Sequence, residues 1–154
     1  MTSPMFPSRI NLERISIQVI GQETLVYDEL RHQAWSLNNV SACIWHLCDG
    51  QKTVEQIAAA AGAELAAPVT AEIVLLTLAE LRERNLLDAE TVMALPTGVS
   101  RREMLGRAGL AAALLLPIID SVLTLPAHAQ SGSLKGMAKP GNSTSSVEKP
   151  RNIG

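Results

Sequence analysis

Much that would make a catalyst or a nucleic-acid binder is missing from this sequence. Aromatic residues are only 3% of its 154 positions, so platforms for stacking bases are scarce. The net charge of −2 gives no general attraction to phosphate backbones. Cysteine occurs twice, at Cys43 and Cys48. Five positions apart on one helix, the two point about 140° away from each other and are poorly placed to bridge. They read as reduced packing residues of a cytoplasmic domain, here spanning residues 1–99. There is no Walker loop, no Gly-rich dinucleotide turn and no zinc-spaced Cys/His set. Cys43 and His46 share a helical face, but Cys48 lies elsewhere and no fourth ligand is near in sequence. His32 and His128 supply no evident base for a cysteine nucleophile. The expectation is a chain that is not an enzyme and carries neither cofactor nor metal.

What is present is organised around residues 36–61. Asn38 and Asn39 can cap a first helix, whose stripe Val40, Cys43, Ile44 and Leu47 follows the i, i+3, i+4, i+7 rule. Asp49-Gly50 ends it, glycine accepting the left-handed conformation needed there. Thr53 and Gln56 form a capping box for a second helix. Its buried stripe is Val54, Ile57, Ala58 and Ala61, and Gly62 is expected to stop it.

Before these helices the pattern predicts three short antiparallel strands. Ile15, Ile17 and Val19 alternate with Ser16 and Gln18, Gly21-Gln22 turns, Thr24 to Tyr27 is rich in β-formers, and Asp28-Glu29 turns again. The third strand runs from Arg31 to Leu37, with Trp35 and Leu37 on one face and Ala34 and Ser36 on the other. After Pro68, Thr70 caps a third helix over residues 71–84, and Asn85 is a left-handed C-cap. Its apolar residues Ile73, Val74, Leu75, Leu76, Leu78 and Leu81 form an arc wider than one buried stripe. Either the helix is buried on two sides, or part of the arc lines a groove for a partner peptide. The fold class expected is α+β, a small winged helix-turn-helix with a three-stranded meander and three helices.

The domain plan follows from composition: a flexible N-terminus over 1–11, one domain over 12–88 and a linker over 89–99. Residues 100–129 form an apolar helical segment and 130–154 a disordered tail. The longest charge-free apolar stretch, Ala108 to Ile119, is twelve residues, short of the ~20 a bilayer-spanning helix needs. Arg101-Arg102, this short core, and Ala127 and Ala129 around His128 look like a twin-arginine export signal. That would make export machinery or a membrane a partner of 100–129. Two arginines before an apolar helix also occur at ordinary membrane-facing ends.

The strand Thr24–Asp28, then Leu37-Asn38, Ile44-Trp45, Asp49-Gly50 and Thr53-Val54 with Ile57-Ala58 stand in a particular order. Glu72-Ile73, Leu78, Leu81 and Asn85-Leu86-Leu87 complete it. Over about residues 12–88 this order resembles the PqqD family, the peptide chaperone of pyrroloquinoline quinone biosynthesis and parent of the RiPP recognition elements. Asn85 departs from the glycine usual in the family but tolerates the same backbone geometry. The resemblance implies a chaperone that holds the leader of a ribosomally made precursor peptide as an added strand beside the third strand. The third helix would form the other wall, and the partner would be a peptide-modifying enzyme, often a radical SAM protein. Carried onto this chain, the peptide-binding residues are His32, Gln33, Ala34, Trp35 and Ser36 on the edge, with Ile73, Val74, Leu75 and Leu78 on the helix.

Two other functions compete. A winged helix-turn-helix can place a recognition helix in the major groove, but the second helix has no Arg or Lys, and no nucleic-acid partner is expected. Alternatively, residues 100–154 are a fused substrate, carried or exported by the domain before them.

Overall fold

The computed structural model describes residues 4–96, Arg102, Gly106 and 115–122. The chain divides into two compact units, 1–124 and 125–154, and all described residues belong to the first. In chain order, a 3-10 turn at Leu12–Arg14 leads into strands β1 (Ile15–Ile20), β2 (Glu23–Asp28) and β3 (Gln33–Leu37). Helices α1 (Asn39–Leu47), α2 (Val54–Leu65), α3 (Ala71–Glu83) and α4 (Ala89–Ala94) follow, and then strand β4 (Ile119–Val122). The class is α+β, as expected. The sheet, however, has four antiparallel strands in the order β1-β2-β3-β4, where the sequence predicted three.

Local signals account for most element ends. Gly21, at φ +64°, is the first of two residues between Ile20 and Glu23, the position at which a tight hairpin turn needs glycine. The Asn38 side chain accepts the Ser41 N–H at 3.0 Å and starts α1. Thr53 and Gln56 form the reciprocal capping box of α2, with bonds of 2.9 and 3.3 Å. Thr70 caps α3, and Asn85 is left-handed at φ 58°.

The core lies between the sheet and α1–α3. Val26, Leu37, Ile44, Trp45, Ile57, Val74, Leu78, Leu81 and Leu86 are fully buried within it. Burying a large aliphatic or aromatic side chain contributes roughly 1.5–3 kcal/mol, so this cluster dominates the stability of the unit. Trp45 satisfies its one polar atom by donating from Nε1 to the Leu86 carbonyl at 2.9 Å.

Four expectations are corrected. Gly62 does not stop α2, which runs on to Leu65 and ends on left-handed Ala66. Gly62 instead sits at a close approach, where a Cβ would lie 3.1 Å from the Ala67 carbonyl oxygen and crowd it. Residues 7–10, expected to be flexible, are tied down. Arg9 and Ile10 donate to the Cys48 and Leu86 carbonyls, while Pro7 is buried and accepts from Gly50. Residues 89–94, expected as linker, form α4, because Asp88 accepts the Thr91 N–H at 2.7 Å. Thr91 is itself buried, and its hydroxyl accepts from Ser8 N–H and donates to Ser8 O. Lastly, residues 119–122 lie within the segment expected to be helical but form β4. Pro117 removes a backbone donor and disfavours a continuous helix at this point, and Ile118-Ile119 favour extended backbone.

Among the described residues, no helix is long and apolar enough to cross a membrane.

Candidate functional site

The outer flank of β3 is where an added strand was expected, and the chain's own β4 sits there. The pairs are Ala34↔Val122, Trp35↔Ser121, Ser36↔Asp120 and Leu37↔Ile119. Beyond the strand end, Asn38 N–H donates to the Ile118 carbonyl at 3.0 Å. Hydrogen-bonded pairs alternate along an antiparallel ladder, so Ser36–Asp120 and Ala34–Val122 are the next two. Ala34 and Ser36 thus turn their backbone groups outward, to β4, and Trp35 and Leu37 turn theirs to β2.

Three side chains outside β3 hold the same segment by its carbonyl oxygens. Asn38 Nδ2 donates to Leu116 O at 2.9 Å, Ser41 Oγ to Ile118 O at 3.4 Å, and an Arg84 guanidinium nitrogen to Ile119 O at 3.3 Å. Arg84 is fixed from the other side by ion pairs with Glu80 at 2.9 Å and Glu83 at 3.1 Å. Carbonyl contacts of this kind read the path of a backbone and ignore side-chain identity. Identity enters at Ile119, which is 5% exposed in the core cluster beside Leu37, while Asp120, Ser121 and Val122 are exposed.

The residues expected to bind peptide fall into three groups. Ala34, Trp35 and Ser36 lie in the paired part of β3, and Gln33 begins the strand opposite Asp28. His32 is not in the strand. It occupies a left-handed turn position at φ 52°, with its Nδ1 3.2 Å from the Tyr27 hydroxyl. On α3, Ile73, Val74 and Leu78 are buried in the common core. Leu75 faces elsewhere, into a cavity of about 290 Å³ that it lines with Met5, Val54, Ala71 and Pro96. Leu75 itself is half-buried, whereas Leu76 beside it is buried. Sequence reasoning missed the roles of Asn38, Ser41 and Arg84, since a cap and a charged helix end are the ordinary readings of such residues. Of the export-signal residues, Arg102 is exposed, and Arg101, Ala127 and Ala129 lie outside the described residues.

The titratable groups near the domain centre are poorly suited to covalent chemistry. Burial pushes the Cys43 and Cys48 thiols up to about 12, leaving both protonated at neutral pH. Burial, with the Arg9 charge beside it, lowers the His46 imidazole. No group of three or more His, Cys, Asp or Glu that could hold a metal occurs among the described residues.

The described residues form a small α+β domain in which β4 pairs with the outer flank of β3 and side chains of Asn38, Ser41 and Arg84 hold carbonyls of the segment around it. Residues 23–87 match the family model of coenzyme PQQ synthesis protein D (PqqD). The match begins with β2 and ends at Leu87, so β1, α4 and β4 lie beyond it. Comparison with curated proteins and with solved structures gave no match.

Proposed function

We propose that the chain is a non-catalytic recognition element that binds the leader of a ribosomally made precursor peptide along β3 and presents it to a modifying enzyme, of radical SAM type. The observation that carries this reading is the pairing of Ala34–Leu37 with a segment from far along the chain, on the flank the family resemblance pointed to. Strand addition supplies affinity through backbone hydrogen bonds and selectivity through a few side-chain positions. Here those are the outward N–H and C=O groups of Ala34 and Ser36 and the position beside Leu37.

Selecting a displayed library of random twelve-residue peptides on the full chain tests the proposal. Binders are expected to lose their affinity for Ala34→Pro, which removes an outward N–H without touching the bonds to β2. Binders indifferent to that change would exclude β3 as the docking strand.

A second reading is favoured by the same strand: residues 100–154 are the carried segment of a fused substrate, bound in cis. The twin-arginine reading of 100–129 goes with it. Fusing residues 96–154 ahead of a reporter tests that part, since Arg101→Lys with Arg102→Lys should block export. A winged-helix regulator has less support, because α2 carries no Lys or Arg.

A further inference from the structure

From the pairing of β4 we infer that residues 115–122, Leu-Leu-Pro-Ile-Ile-Asp-Ser-Val, are a built-in occupant of the recognition edge, which any peptide bound in trans must displace. This rests on the reading of β3 as the docking strand. The backbone groups of Ala34 and Ser36 that face outward already meet Val122 and Asp120. One ladder cannot serve two strands, so occupancy in cis and in trans is mutually exclusive.

The occupant also states what the edge accepts. Ile119 is the one residue of β4 removed from solvent, and it sits among core side chains next to Leu37. The three residues after it are exposed, so their side chains can vary. Before it, the edge holds the Ile118 and Leu116 carbonyls through Asn38 and Ser41. Pro117 between them is buried. The ligand class is therefore an extended peptide with a branched aliphatic anchor, preceded by two positions read through their backbone, and tolerant of proline two residues before the anchor. Competition with a tethered strand lowers apparent affinity by the fraction of molecules whose edge is open. By reciprocity, a peptide that binds drives 115–122 off the sheet.

Fluorescence anisotropy of a labelled LLPIIDSV peptide with the full chain tests the inference. Two variants free the edge by different routes. Ile119→Asp puts a charge at the buried anchor. Asp120→Pro removes the ladder N–H facing Ser36 and leaves the core untouched, which guards against a variant that fails to fold. Each is expected to bind the peptide at least tenfold more tightly than the unaltered chain, and the same peptide with Ile119→Asp should bind at least tenfold more weakly than the native peptide. Equal binding by the unaltered chain and both variants would overturn the inference and leave β3 as a docking strand intact. No binding to any form would overturn it too. The reading of β3 would then stand or fall on whether library-selected peptides lose affinity for Ala34→Pro.

Discussion

Asn38 joins two stretches of chain 78 residues apart with one side chain. Its Oδ1 accepts the Ser41 N–H at 3.0 Å, while its Nδ2 donates to the Leu116 carbonyl at 2.9 Å. The start of α1 and the hold on the segment before β4 are thus two ends of the same amide, and they can be separated chemically.

Asn38→Asp keeps an oxygen for the cap but has no donor for Leu116, whereas Asn38→Ala loses both. Losing a cap costs about 0.5–2 kcal/mol. Urea denaturation should show that loss for Asn38→Ala and little change for Asn38→Asp. Both variants should speed amide exchange at Asp120 and Val122. Unchanged exchange in Asn38→Asp would mean that the Leu116 contact contributes nothing to holding the segment.

Trp45 lies at the centre of the core, and its indole N–H is bonded to the Leu86 carbonyl, which also accepts from Ile10. Trp45→Phe removes the donor, but that carbonyl keeps one partner. The hydrogen bond should account for about 1 kcal/mol of the loss, with a further cost from the smaller ring. Trp45→Ala should cost about 3–5 kcal/mol. Chemical denaturation followed by circular dichroism measures both.

Asp28 is 2% exposed. Burial alone would raise its carboxyl, but hydrogen bonds from the Arg31 side chain and from the Arg31 and Leu30 backbone N–H groups outweigh it and hold it below the ordinary value. A carboxylate lowered in the folded state stabilises the fold above its unfolded pKa of about 3.9, and that stability is lost as pH falls through the folded value. Asp28→Asn should therefore be less stable than the native chain at pH 7, by about 1.5–3 kcal/mol. The two should converge as pH falls below 4. A gap that persists at low pH would assign the effect to shape and not to charge.

Cys43 and Cys48 are buried thiols pushed up to about 12. Neither should react with a thiol reagent at pH 8 in the folded chain, and both should react at once in urea. Fast native labelling of either would show that α1 opens locally around it.

The caps at Asn38, Thr53 and Thr70 and the left-handed turn at Asn85 were legible in the sequence because each depends on hydrogen bonds or dihedral angles within three or four residues. The β1-β2-β3 meander was legible for the same reason, its turns being short and its strands adjacent. Signals that hold in more than one context misled. Gly62 can end a helix or admit a neighbour's carbonyl, and only the position of Ala67 decides which. Residues 88–94 read as linker because they are polar, yet Asp88 and Thr91 form a cap that Ser8 locks from the other end of the domain.

By itself, then, the sequence determined an α+β core, and only its resemblance to the PqqD family pointed to the flank of β3. Only the tertiary structure decided that the chain's own Ile119–Val122 occupies that edge. A four-residue strand at the end of an apolar run is too short for its periodicity to distinguish it from helix. It becomes a strand by pairing with the outward backbone groups of Ala34 and Ser36, with Ile119 buried opposite Leu37.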